Sequence, residues 1–196
     1  MKKIKFLLGI TLLCATLTSC NELKSILQMA LCTYDIDGVV SPKIAGVSLG
    51  NITNPSQLSM TDVAKIALAF SHNNFPLSLT VNVKATNPGS VVASIQKLDW
   101  ALDLEQKEIL QGSLDQVIDI PAGGGSTLIP FTIGTDLLQL FSGETKDNLL
   151  NLALNIANVG DSSSKVSFRI RPTVTIGGQA VSTTKFITLS KTVSSK

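Results

Sequence analysis

The stretch LSLTVNVKATNPGSVVASIQKLDWAL, residues 77–102, decides the fold because its apolar and polar residues alternate with a period of two. Successive side chains of a β-strand point to opposite faces of a sheet, so this alternation predicts strands with one buried side and one solvent-facing side. Asn87-Pro88-Gly89 interrupts the pattern. An asparagine that can bond its own turn, a proline without an N–H and a flexible glycine together predict a corner.

The same period extends along much of the chain. An extended region at 37–51 comes first, and further strands are predicted at 109–120, 128–134, 166–170 and 185–189, with turns at 105–108, 121–126 and 177–178. Short strands about ten residues apart, joined by turn residues and accompanied by few helices, indicate an antiparallel β-sandwich. One domain, residues 41–196, accounts for this pattern.

One to three short helices are predicted in addition to the strands. At 59–70, Ser59 can cap a helix with Asp62 three residues on, and the apolar spacing of three and four predicts one buried stripe. This stripe consists of Met60, Val63, Ala64, Ala67 and Phe70. Residues 136–141 and 146–158 are also predicted to be helical, although the second segment alternates as a strand would.

The N-terminus predicts export. Three lysines precede an apolar run at 6–17 that is too short to cross a bilayer, so residues 1–19 are predicted to be a signal peptide. Leu17-Thr-Ser-Cys20 resembles the lipobox of bacterial lipoproteins, which implies that Cys20 carries acyl chains, palmitate among them. Residues 20–40 would then be a lipidated N-terminus and tether. Asn21 is not the aspartate associated with inner-membrane retention, so we expect a lipid-anchored cell-envelope protein of the outer membrane.

The net charge argues against nucleic acid as a partner, and the cysteine content argues against a disulfide within the chain. Without Lys2, Lys3 and Lys5 the chain has 13 basic against 14 acidic residues, a net charge of −1. Such a chain lacks the basic footprint that nucleic acid binding needs. With Cys14 removed and Cys20 lipidated, Cys32 is left alone in an apolar run, where burial is favoured over a reactive thiol.

Several residues could belong to a catalytic, metal or cofactor site, and for each of them we favour a purely structural role. His72 stands in a polar loop, Gly123-Gly124-Gly125 lies between two strands rather than before a helix, and one histidine with one cysteine cannot make a zinc set. The polar phase of the strands carries charges that we predict to be a solvated face, namely Asp99, Asp103, Asp115, Arg169 and Arg171. We therefore expect no enzyme and no cofactor.

The region 81–133 resembles the late-embryogenesis-abundant type 2 family, also called the water-stress and hypersensitive-response (WHy) domain. The resemblance rests on a strand ending in Asn-Pro, a following Leu/aromatic strand, Ile-Pro-Ala-Gly, and Ile-Pro-Phe; Gly89 departs from the usual Asn-Pro-Asn. The matching residues are Asn87, Pro88, Leu98, Trp100, Leu102, Gly112, Ile120, Pro121, Ala122, Gly123 and Pro130.

This resemblance implies a sandwich of the immunoglobulin/fibronectin type III kind and a non-catalytic role in protecting or binding proteins or membranes under stress. Asn87, Pro88, Trp100, Pro121 and Gly123 would then be structural motif residues. A structural, adhesion or assembly module of the envelope is the alternative, with possible protein clients or an envelope partner, and a small-molecule or lipid carrier is a third. Partner, orientation and the use of the segments 59–70 and 145–158 stay open.

Overall fold

The computed structural model describes residues 31–52, 55–104, 107–156, 164–176 and 178–193. The predicted signal peptide and Cys20 lie outside these residues, so the lipid anchor stays a prediction.

The first sheet contains four antiparallel strands in the order β2-β1-β3-β8. Its strands are β1 Thr33–Ile44, β2 Val47–Ser48, β3 Pro76–Asn87 and β8 Gly125–Asp136. The central strand β3 pairs with β8 along its whole length and with β1 from Thr33↔Thr86 to Ile44↔Leu77. We call the end with Thr33 and Asn87 the corner end, and the end with Ile44 and Pro76 the helix end.

The second sheet has the order β10-β9-β5-β6, and β11 also pairs with β9. These strands are β5 Lys97–Leu104, β6 Lys107–Leu114, β9 Ser164–Ile176, β10 Gln179–Ser182 and β11 Ile187–Val193. A small antiparallel pair, β4 Ala93–Ile95 and β7 Ile118–Ile120, lies at the corner end. The architecture confirms the predicted antiparallel β-sandwich with short helices.

The inner faces of the two sheets form the core. Phe131 from the first sheet and Phe168 from the second are both buried, and their ring centroids lie 4.9 Å apart. Trp100 is partly buried and stacks on Phe168 at 5.8 Å. Its neighbours in phase, Leu98 and Leu102, are buried, which confirms that Trp100 belongs to the core face.

The helix predicted at 59–70 forms, as α1 Met60–Ser71. Ser59 accepts a hydrogen bond from the Asp62 backbone N–H while the Asp62 side chain accepts from the Ser59 backbone, which is the predicted capping box. The predicted buried stripe is wrong for Met60, Val63 and Ala64, whereas its member Phe70 packs against the core. Ile66 is the buried residue of the helix, whereas Met60 and Val63 are exposed, because the sandwich end meets the face that also carries Ala69 and Phe70.

Other predicted boundaries need correction. The segment 109–120 is two strands, β6 and β7, which belong to different sheets. Residues 33–40, which we assigned to the tether, are the first two-thirds of β1 and pair with β3, so the folded unit begins before residue 41. The later helices form as α2 Leu137–Leu140 and α3 Lys146–Ile156; residues 157 and 158 of the predicted second helix lie outside the described residues.

Candidate functional site

The corner predicted at Asn87-Pro88-Gly89 is an interlocked pair of turns. Asn87 is fully buried, its amide Nδ2 donates to the carbonyls of Val91 (2.8 Å) and Ile120 (3.1 Å), and its Oδ1 accepts from the Gly89 N–H (3.0 Å). The second turn closes onto the first, since Gly123 and Gly124 donate their N–H groups to the carbonyls of Gly89 and Asn87 at 2.7 and 2.8 Å.

The glycine-rich turn is part of this corner. Gly123 has a φ of +70°, a conformation that a β-carbon disfavours. Its N–H and that of Gly124 are both used by the first turn, so these two amides are not available to hold a phosphate. Pro88 and Pro121 stand exposed on either side. The interpretation of these residues as a structural hairpin agrees with this geometry.

Gly112 has a packing role next to Trp100. The two residues are directly opposite in the β5–β6 pairing, and a β-carbon added at Gly112 would lie 2.7 Å from Cζ2 of Trp100. Only a glycine lets the indole lie flat against β6 while it stacks on Phe168. Gly112, one of the residues on which the WHy resemblance rests, thus has a role in packing rather than in a ligand site.

The five charged residues predicted as a solvated face come together on the outer face of the second sheet. Arg169 forms a two-pronged ion pair with Asp103, at 2.6 and 2.8 Å, and also contacts Glu108. Arg171 donates to Asp99 at 2.8 Å from its terminal nitrogen. Lys97 joins Asp99 to Asp115, at 3.3 and 3.6 Å. We call these residues the charge ladder.

The charge ladder is less exposed to solvent than predicted. Asp103 is buried, with 8% of its surface exposed, and Arg169 and Arg171 both lie against the ring of Phe186, at 5.2 and 4.9 Å from its centroid. The prediction of a fully solvated face is therefore wrong for Asp103. Each arginine already holds a carboxylate, so an anionic ligand would have to displace that carboxylate.

The electrostatics follow from this pairing. Hydrogen bonding by Arg171, aided by Lys97, holds the pKa of the Asp99 carboxyl below its usual value. Asp103, with a contribution from Glu108, raises the pKa of the Arg169 guanidinium. The Asp99 carboxylate is therefore held ionised for pairing, which is the opposite of what a general acid needs.

We expect acid to weaken the fold through Asp99. Its pKa is lower in the folded chain, so its contribution to stability is complete above the unfolded pKa of about 4 and is lost as the pH falls below that value. The measurement is the free energy of unfolding of residues 21–196 between about pH 7 and pH 2, in which Asp99→Asn is expected to show a shallower decline. Asp115→Asn, which removes an exposed carboxylate, is the control; equal curves for Asp99→Asn and the unaltered chain would contradict the expectation.

The remaining candidate residues, His72 and Cys32, do not belong to the charge ladder. His72 is exposed and ends α1, its backbone N–H donating to Leu68. Cys32 is buried at the start of β1, as predicted, and burial raises the pKa of its thiol. Within the described residues, no group of three or more His, Cys, Asp or Glu side chains could hold a metal ion.

A second polar surface includes the polar side of β3, which its alternation predicted; the sequence did not show that β8 extends this surface. The outer face of β3 and β8 carries a row of hydroxyl and amide side chains, with Lys84 and the exposed apolar Leu128 and Pro130 among them. We call it the hydroxyl face: Ser78, Thr80, Asn82, Thr86, Ser126 and Thr132. Two pairs of hydroxyls meet across the strands, Thr80 with Thr132 at 3.4 Å and Thr86 with Ser126 at 3.0 Å. The alternation of these strands was the available signal.

Comparisons with known proteins add little. No family model matches the chain, and no curated protein matches it. Among solved structures, the chain is similar to a protein from Archaeoglobus fulgidus, with 12% identity and a TM-score of 0.37 over 62% of this chain and 86% of the other. Among the helices that the structure describes, none has the length and apolar character needed to cross a membrane.

Proposed function

We propose that the protein is a non-catalytic module, held at the cell envelope by lipid on Cys20, that protects or binds proteins or membranes under stress such as drying or freezing. The resemblance to the WHy domain suggested this role. The observation that carries it is the hydroxyl face, a surface on β3 and β8 where Ser, Thr and Asn side chains lie beside Lys84 and the apolar Leu128.

Uncharged hydrogen-bonding groups suit this task for a physical reason. Drying concentrates salt, and salt screens exposed charges, so a charged surface loses much of its reach as water leaves. Hydroxyl and amide groups keep their donors and acceptors at any ionic strength. Groups such as Thr80 and Thr132 can hold water at the surface, or offer hydrogen bonds to a client that is losing water.

Drying a labile enzyme with and without residues 21–196 tests the proposal. We expect more enzyme activity to survive in the presence of the protein, and we expect less protection from a variant that combines Thr80→Val, Thr86→Val and Thr132→Val. Ser113→Ala with Ser190→Ala, on exposed positions of the second sheet, is the matched control. Equal loss of enzyme activity with and without the protein would rule out protection.

An envelope assembly module is distinguished by a different measurement. Affinity capture of the anchored protein that recovers one partner in stoichiometric amount would favour assembly over general protection. We expect no such partner.

A further inference from the structure

Helix α1 has one wide apolar stripe, and only one side of it packs on the sandwich. Ile66 is 2% exposed, whereas Met60, Val63 and Leu68 are 88, 47 and 57% exposed. At 100° per residue these three exposed residues fall within an arc of about 140°, the face that a partner would normally cover. Ala64 lies on the same arc and is exposed as well. The helix therefore presents an apolar face without a partner among the described residues.

The position of this face can be related to the predicted lipid anchor. The face lies at the helix end of the sandwich, and β1 separates it from Thr33 by roughly 36 Å at about 3.3 Å per residue. The chain from Cys20 to Thr33 can reach at most about 45 Å when fully extended. A fully extended tether would therefore allow the sandwich to lie on its side, with α1 on the bilayer that holds Cys20.

The size of the face argues against a second copy of the chain. A stable protein interface covers about 800 Å² on each partner. A helix of 12 residues is about 18 Å long and about 10 Å wide, so one face of it offers much less. A bilayer needs no matching surface, and an anchor keeps the helix at a high effective concentration next to it, so a small apolar face is sufficient.

We propose that α1 rests on the membrane surface, with Met60, Val63 and Leu68 inserted among the lipid headgroups, as a second contact that adds to the acyl chains on Cys20. The contact is separate from protection by the hydroxyl face, and it depends on the predicted anchor. Its chemical partner is the apolar boundary of a phospholipid bilayer.

The test places a tryptophan at each end of the sandwich. Met60→Trp reports on the apolar face, and Val117→Trp, 62% exposed at the corner end, is the matched control. Each full-length chain is purified from a bacterial host that lipidates it and is reconstituted in phosphatidylcholine vesicles with brominated acyl chains. The unaltered chain supplies the background from Trp100. We expect a blue shift and loss of the added emission for Met60→Trp and neither for Val117→Trp.

Each outcome has a defined meaning. Quenching at Val117→Trp, equal quenching at both positions, or none at either in chains that float with the vesicles would overturn the contact while leaving the anchor intact. Chains that do not float with the vesicles would overturn the anchor and the contact together. Residues 21–196 with Met60→Trp, which contain neither the signal peptide nor Cys20, are expected to show no quenching; quenching that persists would show that the helix binds without the anchor and would also overturn the proposal. None of these outcomes bears on the drying assay.

Discussion

Replacing Asn87 with alanine is expected to lower the free energy of unfolding by about 3 kcal/mol, because three backbone groups in a buried or partly buried corner lose their partner at once. The Asn87 side chain is fully buried and serves the carbonyls of Val91 and Ile120 and the N–H of Gly89. The Ile120 carbonyl is buried and cannot bond to water instead. Urea unfolding of residues 21–196 measures the loss.

Asn82→Ala is the matched control for this prediction. Asn82 lies on the same strand, five residues earlier, on the partly exposed outer face. Its loss is expected to change the free energy of unfolding by less than about 0.5 kcal/mol. If Asn87→Ala were no more harmful than Asn82→Ala, the interlocked corner would not contribute to stability.

Phe168→Ala is expected to cost about 4 kcal/mol, since it removes a buried ring and leaves a cavity. Phe168 lies between Phe131 and Trp100, with ring centroids at 4.9 and 5.8 Å, and it belongs to the strand that joins β5 to β10 and β11. The fluorescence of Trp100 should also shift to longer wavelength, because water reaches the exposed indole face.

Phe186→Ala tests whether burial between the sheets, rather than aromatic character, sets this cost. Phe186 lies on the outer face, where it covers Arg169 and Arg171, and its removal is expected to cost about 1 kcal/mol. Equal losses for Phe168→Ala and Phe186→Ala would contradict a core centred on Phe168.

Much of the fold follows from alternation that is visible in the sequence. The phase of Leu77 to Ala85 predicts which side of β3 is buried, and every member of that apolar set is buried. The capping box of α1 was predictable because its bonds join residues three apart. Such local contacts depend on residues that are neighbours in the chain.

The errors arose where the answer depends on distant residues. The segment 109–120 has an uninterrupted strand composition, and only the separate partners of β6 and β7 divide it between two sheets. The face of α1 that is buried depends on where the sandwich end lies, so its apolar residues could not say which stripe packs.

The candidate surfaces show the same division. Asp99 and Arg171 are 72 residues apart, and the β5–β9 register brings them side by side. Neither position carries a motif, so the sequence indicated a polar face but not its ion pairs. The hydroxyl face likewise exists because β3 and β8 pair along their whole length.

The sequence by itself determined that this chain forms an antiparallel sandwich with a corner at Asn87 and a capped helix after Ser59, because alternation, turn chemistry and capping act between near neighbours. The tertiary structure alone decided that Asn87 is buried, that the carboxylates are held by arginines and that α1 turns Met60 and Leu68 outward. These features depend on which strands and faces meet, and that choice is made by the packing of the whole core.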